Sequence, residues 1–415
     1  MKITKNSKEL MLFFTKNKYI KKVNQTKRTD SILLQLYKDI LNAYLDLNNV
    51  KSVKQYYKLQ VKKINNPGQI IKPKIFGANS FPEAVRNHID KMSLTELTFT
   101  FSLFGRNITL YFIVEDDKPD VETFEKYVDA IYMWIYILSS YASKRCSNSL
   151  VVYLYFTSLE KSLPSSNVET LDELNVNTAF TTTCPRDSEI VVFRKEEWFK
   201  VLIHETFHNF GLDFSDMNNS HAHKCILDIF KVNSNVNLYE SYTEFWAEIM
   251  NALFCSFYTL KNKRDIDQFL SNSEFFINFE RTYSYFQLVK ALDFMGLTYK
   301  DLFSQTLKAN MLRENMYKEK TNVLSYYVIK CVLMNNYQGF LFWCKTNNHS
   351  LIQFDKTTKN QMDYCEFIKN NYKSASMIEN VAETQSFLSI VKNKNKRTNF
   401  NYILSNLRMS ICELG

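Results

Sequence analysis

An α+β fold follows from three features of the chain: an alternating apolar hairpin near residue 100, further short apolar runs before residue 195, and a nearly continuous helical pattern after about residue 225. At 415 residues, with 45% hydrophobic and 23% charged content, the chain is long enough for two or three domains. Its 33 Phe and 25 Tyr can fill large cores, and only 7 Gly and 6 Pro argue against a sandwich of many tight turns.

Over residues 31–64, Ile32, Leu33, Leu36, Ile40, Leu41, Tyr44 and Leu45 recur at helical spacing and predict a helix. The segment 64–74 holds two prolines and reads as a linker. Three regions are therefore expected: a basic helical region 1–75, a mixed domain 76–260 and a helical domain 261–415.

Leu97, Phe99, Phe101 and Leu103 alternate with polar residues, Gly105-Arg106-Asn107 turn the chain, and Ile108, Leu110, Phe112 and Val114 alternate on the return. Period-two spacing puts each set on one face of a sheet. Residues 121–143 form a helical pattern around Trp134. Residues 150–157, 179–183 and 189–194 read as strands. A helix is then expected from Lys195-Glu196-Glu197, whose acidic pair suits the positive end of the helix dipole, to a stop near Gly211.

No apolar run approaches the roughly 20 residues that span a bilayer; the longest is 130–138. The basic start lacks a signal-peptide core and cleavage site. The expectation is a cytosolic protein with no transmembrane segment, with packaging or export by a non-classical route left open. Eight cysteines without a CxxC pair read as scattered buried thiols. Residues 1–75 carry 17 Lys/Arg against 4 Asp/Glu, so the whole basic excess is N-terminal. That segment reads as a solvated helical face, or as a contact for an anionic partner.

The chemistry lies in His204-Glu205-Thr206-Phe207-His208. On a helix, residues i and i+4 share a face, so two imidazoles can reach one tetrahedral zinc ion. Glu205 projects beside that ion, where it can take a proton from water and return it to a leaving amine. The pentapeptide is short, but it sits mid-helix after a strand and uses two of only six histidines. A third ligand is needed. Gly211 stands where the longer HExxHxxGxxH pattern has its glycine, but Phe214 takes the place of the last histidine. Candidates are Asp213, His221, His223, Glu240, Glu244 and Glu248.

Glu240, Glu244 and Glu248 follow at i, i+4 and i+8 on one helical face, where stacked carboxylates repel unless a cation or histidine lies against them. Two registers are open. The preferred one makes Glu244 the ligand and Glu248 the carboxylate behind a ligand histidine; the other shifts both roles one turn back, to Glu240 and Glu244.

HETFH followed after 35 residues by EFWAE resembles the gluzincin branch of the zincin metallopeptidases, and most closely the HExxH…EFFAE arrangement of anthrax lethal factor-like peptidases. The resemblance covers about residues 95–255. It implies a zincin catalytic domain within 76–260, one zinc ion on His204, His208 and Glu244, and Glu248 supporting a histidine. The tyrosine that stabilises the oxyanion in that family falls here on Asn237, so Tyr239 is taken for that role, with Tyr242 nearby. The strand at 179–183 sits where zincins keep the edge that pairs with extended substrate. The expected activity is a zinc-dependent endopeptidase acting on a protein or peptide, with Glu205 as general base. The alternative is an inactive zincin-fold binding protein that engages a partner through its basic N-terminal region.

Overall fold

The computed structural model describes residues 1–53, 55–77, 80–395 and 400–415. Among these, helices α1 (Lys5–Lys16) and α2 (Lys27–Val53) lead into strand β1 (Lys58–Lys63). Helix α3 (Glu83–Met92) follows, then β2 (Thr95–Leu103), β3 (Arg106–Val114), α4 (Val121–Tyr141) and β4 (Ser149–Phe156). A single turn, α5 (Glu173–Val176), precedes β5 (Ala179–Thr181) and β6 (Asp187–Val192). Helices α6 (Trp198–Asn209), α7 (Ser220–Ile229), α8 (Leu238–Thr259) and α9 (Ile266–Phe294) come next, and further helices occupy most of the remainder.

The sheet is mixed, in the order β1-β2-β3-β4-β6-β5. Strands β3, β4 and β6 run parallel, whereas β1 and β2 at one side and β5 at the other run antiparallel to their neighbours. The mixture of helices with one mixed sheet matches the expected class. The hairpin turn is one residue tighter than expected. Phe104 and Gly105 both take positive φ, as a two-residue primed turn requires, and Arg106 already pairs with Leu103.

Residues 31–64 do not form one helix. The helix stops at Val53, and Lys58–Lys63 pairs with β2 as an edge strand. Leu59 packs against the main core while Lys58, Lys62 and Lys63 stay exposed. Lysines along an outer strand discourage pairing with other chains, which accounts for part of the N-terminal charge.

Alternation along the strands splits the interior into two cores. Leu110, Phe112, Val152, Leu154, Ile190 and Val192 face the larger one, with α4, α6 and α8. Ile113, Tyr153, Tyr155, Val191 and Phe193 face a smaller one closed by Phe81, Val85 and Ile89. The larger core runs from Leu10 to Leu414. No described helix is long and apolar enough to cross a membrane.

Candidate metal centre

Helix α6 begins at Trp198, later than its acidic pair suggested. Glu197 is the N-cap residue in the left-handed region, and its carboxylate is buried. It accepts from Lys161 Nζ at 2.8 Å and from the backbone N–H groups of Met409 and Ser410 at 3.0 and 2.6 Å. Glu196 accepts from the backbone of Lys161. The pair holds remote segments against the helix start. At the other end Gly211 takes φ +66°, and its N–H reaches the His208 carbonyl at 3.0 Å, while Leu212 N–H reaches Phe207 at 2.8 Å.

The helix is buried all round. Trp134 of α4 donates to Thr206 at 2.7 Å and stacks on Phe207, which fixes the helix rotation. Lys200, His204 and His208 then lie along the face turned to α8.

His204 Nε2 and His208 Nε2 are 3.2 Å apart. Glu240 Oε2 lies 3.0 Å from the first and 3.4 Å from the second. A tetrahedral ion about 2.0–2.1 Å from each donor requires donor separations of roughly 3.3 Å. The three edges, 3.0, 3.2 and 3.4 Å, lie close to that value, so the donor set fits one tetrahedral ion, and these residues form the metal-capable cluster found among the described residues.

The opposite ring nitrogens are also held. His204 Nδ1 faces Glu244 Oε2 at 2.8 Å, and His208 Nδ1 makes a short contact to Asp213 Oδ2. A carboxylate on Nδ1 keeps the proton there and leaves Nε2 free as a ligand. Glu244 is held in turn by Lys200, whose Nζ lies 2.6 Å from Oε1. Asp213 also accepts from Ser215 Oγ at 2.8 Å.

Glu240, Glu244 and Glu248 do share a face of α8, but they do three different things. Glu244, preferred as third ligand from sequence, has both oxygens engaged away from the Nε2 atoms, by Lys200 and by His204 Nδ1, whereas Glu240, the ligand of the other register, is the carboxylate that lies against both Nε2 atoms. Glu248 supports no histidine. It pairs with Lys330 at 2.6 Å, one turn deeper in the core. His223 points to the Val236 carbonyl at 3.2 Å and has no place in the cluster.

The charges polarise one another. Burial opposes the imidazolium form, but Glu240 and Glu244 raise His204, and Asp213 and Glu240 lift His208 well above the usual value. Burial also opposes the carboxylate of Glu240, yet His208 and His204 hold it well below the usual range. Glu244 is likewise depressed against burial, by Lys200 and His204. Glu205 behaves differently: burial raises its pKa, and the two histidines offset that only in part.

Tyr239 packs its ring edge-on to His208, with centroids 5.8 Å apart. Tyr242 is turned into the core, donating to the Ile352 carbonyl at 2.9 Å. The phenol that meets the cluster is Tyr326, in a π-helical turn at Leu324–Ile329, whose hydroxyl donates to Glu240 Oε2 at 3.0 Å. Its distance from the motif along the chain left no sequence signal. Lys200 did leave one: it is a single cation four residues before His204 on an otherwise apolar stretch.

The cysteines are not all thiols. Cys146 and Cys184 form a disulfide, because the loops before β4 and after β5 both close on the end of α6, where Cys184 N–H reaches the His208 carbonyl at 3.2 Å. Of the free cysteines, Cys225 is half-buried and five are buried.

Comparison of the chain with protein-family models, with curated proteins and with solved structures gives no match.

Proposed function

We propose that this chain is a zinc-dependent endopeptidase with a zincin-type catalytic domain, in which His204, His208 and Glu240 hold one metal ion. The observation that carries the reading is the match of three donor separations to the edge of a single tetrahedron, with a buried carboxylate, Glu205, on the residue next to the first ligand. A site that served structure alone would have no use for that carboxylate.

When bound, the ion supplies Lewis acidity that polarises a peptide carbonyl and acidifies water. Glu205, with its pKa raised by burial, takes the proton of the attacking water and returns it to the leaving amine. Tyr326 keeps its proton, since burial and the neighbouring Glu240 and Glu205 all push its pKa well up. Its single proton goes to Glu240 Oε2 in this structure, and in the proposed reaction the hydroxyl turns from Glu240 to donate to the carbonyl oxygen as negative charge develops. Strand β5 ends the sheet order and runs past the helix end, where Asn209 Nδ2 donates to Thr181 at 3.0 Å. An extended substrate pairing with this strand would cross in front of Glu205.

The experiment is metal analysis of purified chain joined to a peptide-cleavage assay. One equivalent of zinc is expected, with cleavage lost by about 10²–10⁴-fold in Glu205→Gln while the zinc is kept. Absence of bound zinc, or undiminished cleavage by Glu205→Gln, would refute the proposal.

A further inference from the structure

Helix α7 packs directly against a later helix, Thr358–Asn371. Two side-chain pairs join them. Asn219, the N-cap residue of α7, accepts from Gln361 Nε2 at 2.7 Å. Further along both helices the thiols of Cys225 and Cys365 are in hydrogen-bond contact, with Cys365 as the donor. The two contacts follow in the same order along each helix, so both cysteines sit on the shared seam. A disulfide needs Cα atoms within about 7 Å, and helix axes about 8–10 Å apart bring facing residues into that range.

The two thiols are unequal. Cys225 is half-buried, whereas Cys365 is fully buried. The hydrogen bond from Cys365 brings the Cys225 thiol down to about 7, and the nearby Lys369 helps, against burial, Glu366 and Asp228. The same contact, together with burial, pushes the Cys365 thiol up. At neutral pH Cys225 is therefore reachable from solvent, ionised in about half of the molecules, and backed by a second sulfur. A thiolate with access and an adjacent resolving thiol is the arrangement that reacts with oxidants. The other free cysteines lack access: Cys255, Cys331, Cys344 and Cys412 are at most 1% exposed. Cys255 and Cys412 also touch one another, but neither offers an oxidant a way in.

We infer that Cys225 and Cys365 form a reversible dithiol–disulfide site, oxidised by a small peroxide and closing α7 onto the helix Thr358–Asn371. The Cys225 thiolate attacks one peroxide oxygen. An S–O bond forms, the O–O bond breaks, and hydroxide leaves and takes up the proton that Cys225 had released. The Cys365 sulfur then attacks the sulfenic sulfur of Cys225. The S–S bond forms, the S–O bond breaks, and the hydroxyl departs as water with the Cys365 proton. Two thiols and one peroxide thus give one disulfide and two waters, the sulfurs being oxidised and the peroxide oxygens reduced. The inference stands apart from the peptidase reading, since it uses none of the residues of the metal centre.

The test exposes the full-length native chain to a small excess of hydrogen peroxide, with no reductant present, so that the Cys146–Cys184 bridge stays closed. Thiols are then counted after acid quench and denaturation. The six free thiols should fall by two, and a peptide map should show Cys225 joined to Cys365, with the count restored by a dithiol reductant. In Cys365→Ser the sulfenic acid has no resolving thiol, so dimedone should label Cys225 about tenfold more than in the wild type. Cys225→Ser should keep all its remaining thiols. Cys365→Ala serves as a second variant without the resolving thiol, and circular dichroism reports on the folding of each. A wild type that keeps six thiols would overturn the inference, as would a Cys225 recovered as sulfinic acid or joined to any other cysteine. Equal dimedone labelling of Cys225 with and without the Cys365 thiol would overturn it too.

Discussion

Glu244 Oε2 and His204 Nδ1 stand 2.8 Å apart, on the side of the imidazole turned away from Glu240. The contact orients the ring from behind, and Lys200 keeps the carboxylate charged in a fully buried place. Glu244 therefore meets His204 from behind, whereas Glu240 faces the Nε2 atoms of His204 and His208 directly.

The two glutamates should separate on mutation. Glu240→Ala removes a donor and is expected to abolish stoichiometric zinc binding. Glu244→Gln keeps the donors but loosens the ring, and zinc affinity should fall about 10–100-fold. Chelator competition measures both. Equal losses, or the reverse order, would return the ligand role to Glu244.

Zinc uptake should depend on pH with a defined sign. The raised pKa values of His204 and His208 mean that protons stabilise the metal-free chain. That stabilisation is full below the unfolded histidine value and is lost as pH rises through the folded values. The depressed values of Glu240 and Glu244 act the other way, contributing above the unfolded carboxylate value and fading as acid reaches the folded ones. Zinc needs neutral imidazoles, so its binding must expel protons. Affinity should rise with pH from mildly acidic to mildly basic solution, by about tenfold per pH unit for each proton released. Calorimetry in buffers of different ionisation enthalpy counts those protons; a count of zero would contradict the charge arrangement described.

Tyr326→Phe removes the hydroxyl that meets Glu240. Loss of one oxyanion donor commonly costs about 10²–10³ in kcat, and that fall is expected with zinc content and KM little changed. A normal kcat would shift attention to Tyr239, whose ring lies against His208.

The Cys146–Cys184 bridge closes a 38-residue separation at the C-terminal end of α6. On the chain-entropy account, a closed loop of that size contributes roughly 4 kcal/mol. Cys146→Ser with Cys184→Ser is expected to lower unfolding stability by an amount of that order, read by denaturant titration. Reductant should reproduce the effect in the wild type and leave the double variant unchanged.

Much of this molecule is visible in local periodicity. The β2–β3 hairpin alternates with period two, and β4 and β6 are short apolar runs, so both appear in the sequence. The i, i+4 spacing of His204 and His208 and the three glutamates of α8 survive for the same reason. Where reading along the chain failed, the local signal was equal for two outcomes. Val53 to Lys63 mixes apolar and charged residues in a way that suits a helix or an edge strand, and pairing with β2 decides it. Lys195-Glu196-Glu197 suits a helix start, but the carboxylates bind Lys161, Met409 and Ser410 instead.

The sequence by itself determined that two imidazoles share one helical face with a carboxylate between them, because a helix repeats every 3.6 residues whatever surrounds it. It determined equally that three glutamates line up on a later helix. Only the tertiary structure decided which of the three meets the Nε2 atoms and which meets an imidazole from behind, since that depends on how far α8 slides and rotates against α6, and a register of one turn has the same local energy in either place. The same holds for Tyr326 and the Cys146–Cys184 pair. Their partners lie 86 and 38 residues away, and packing alone brings them together.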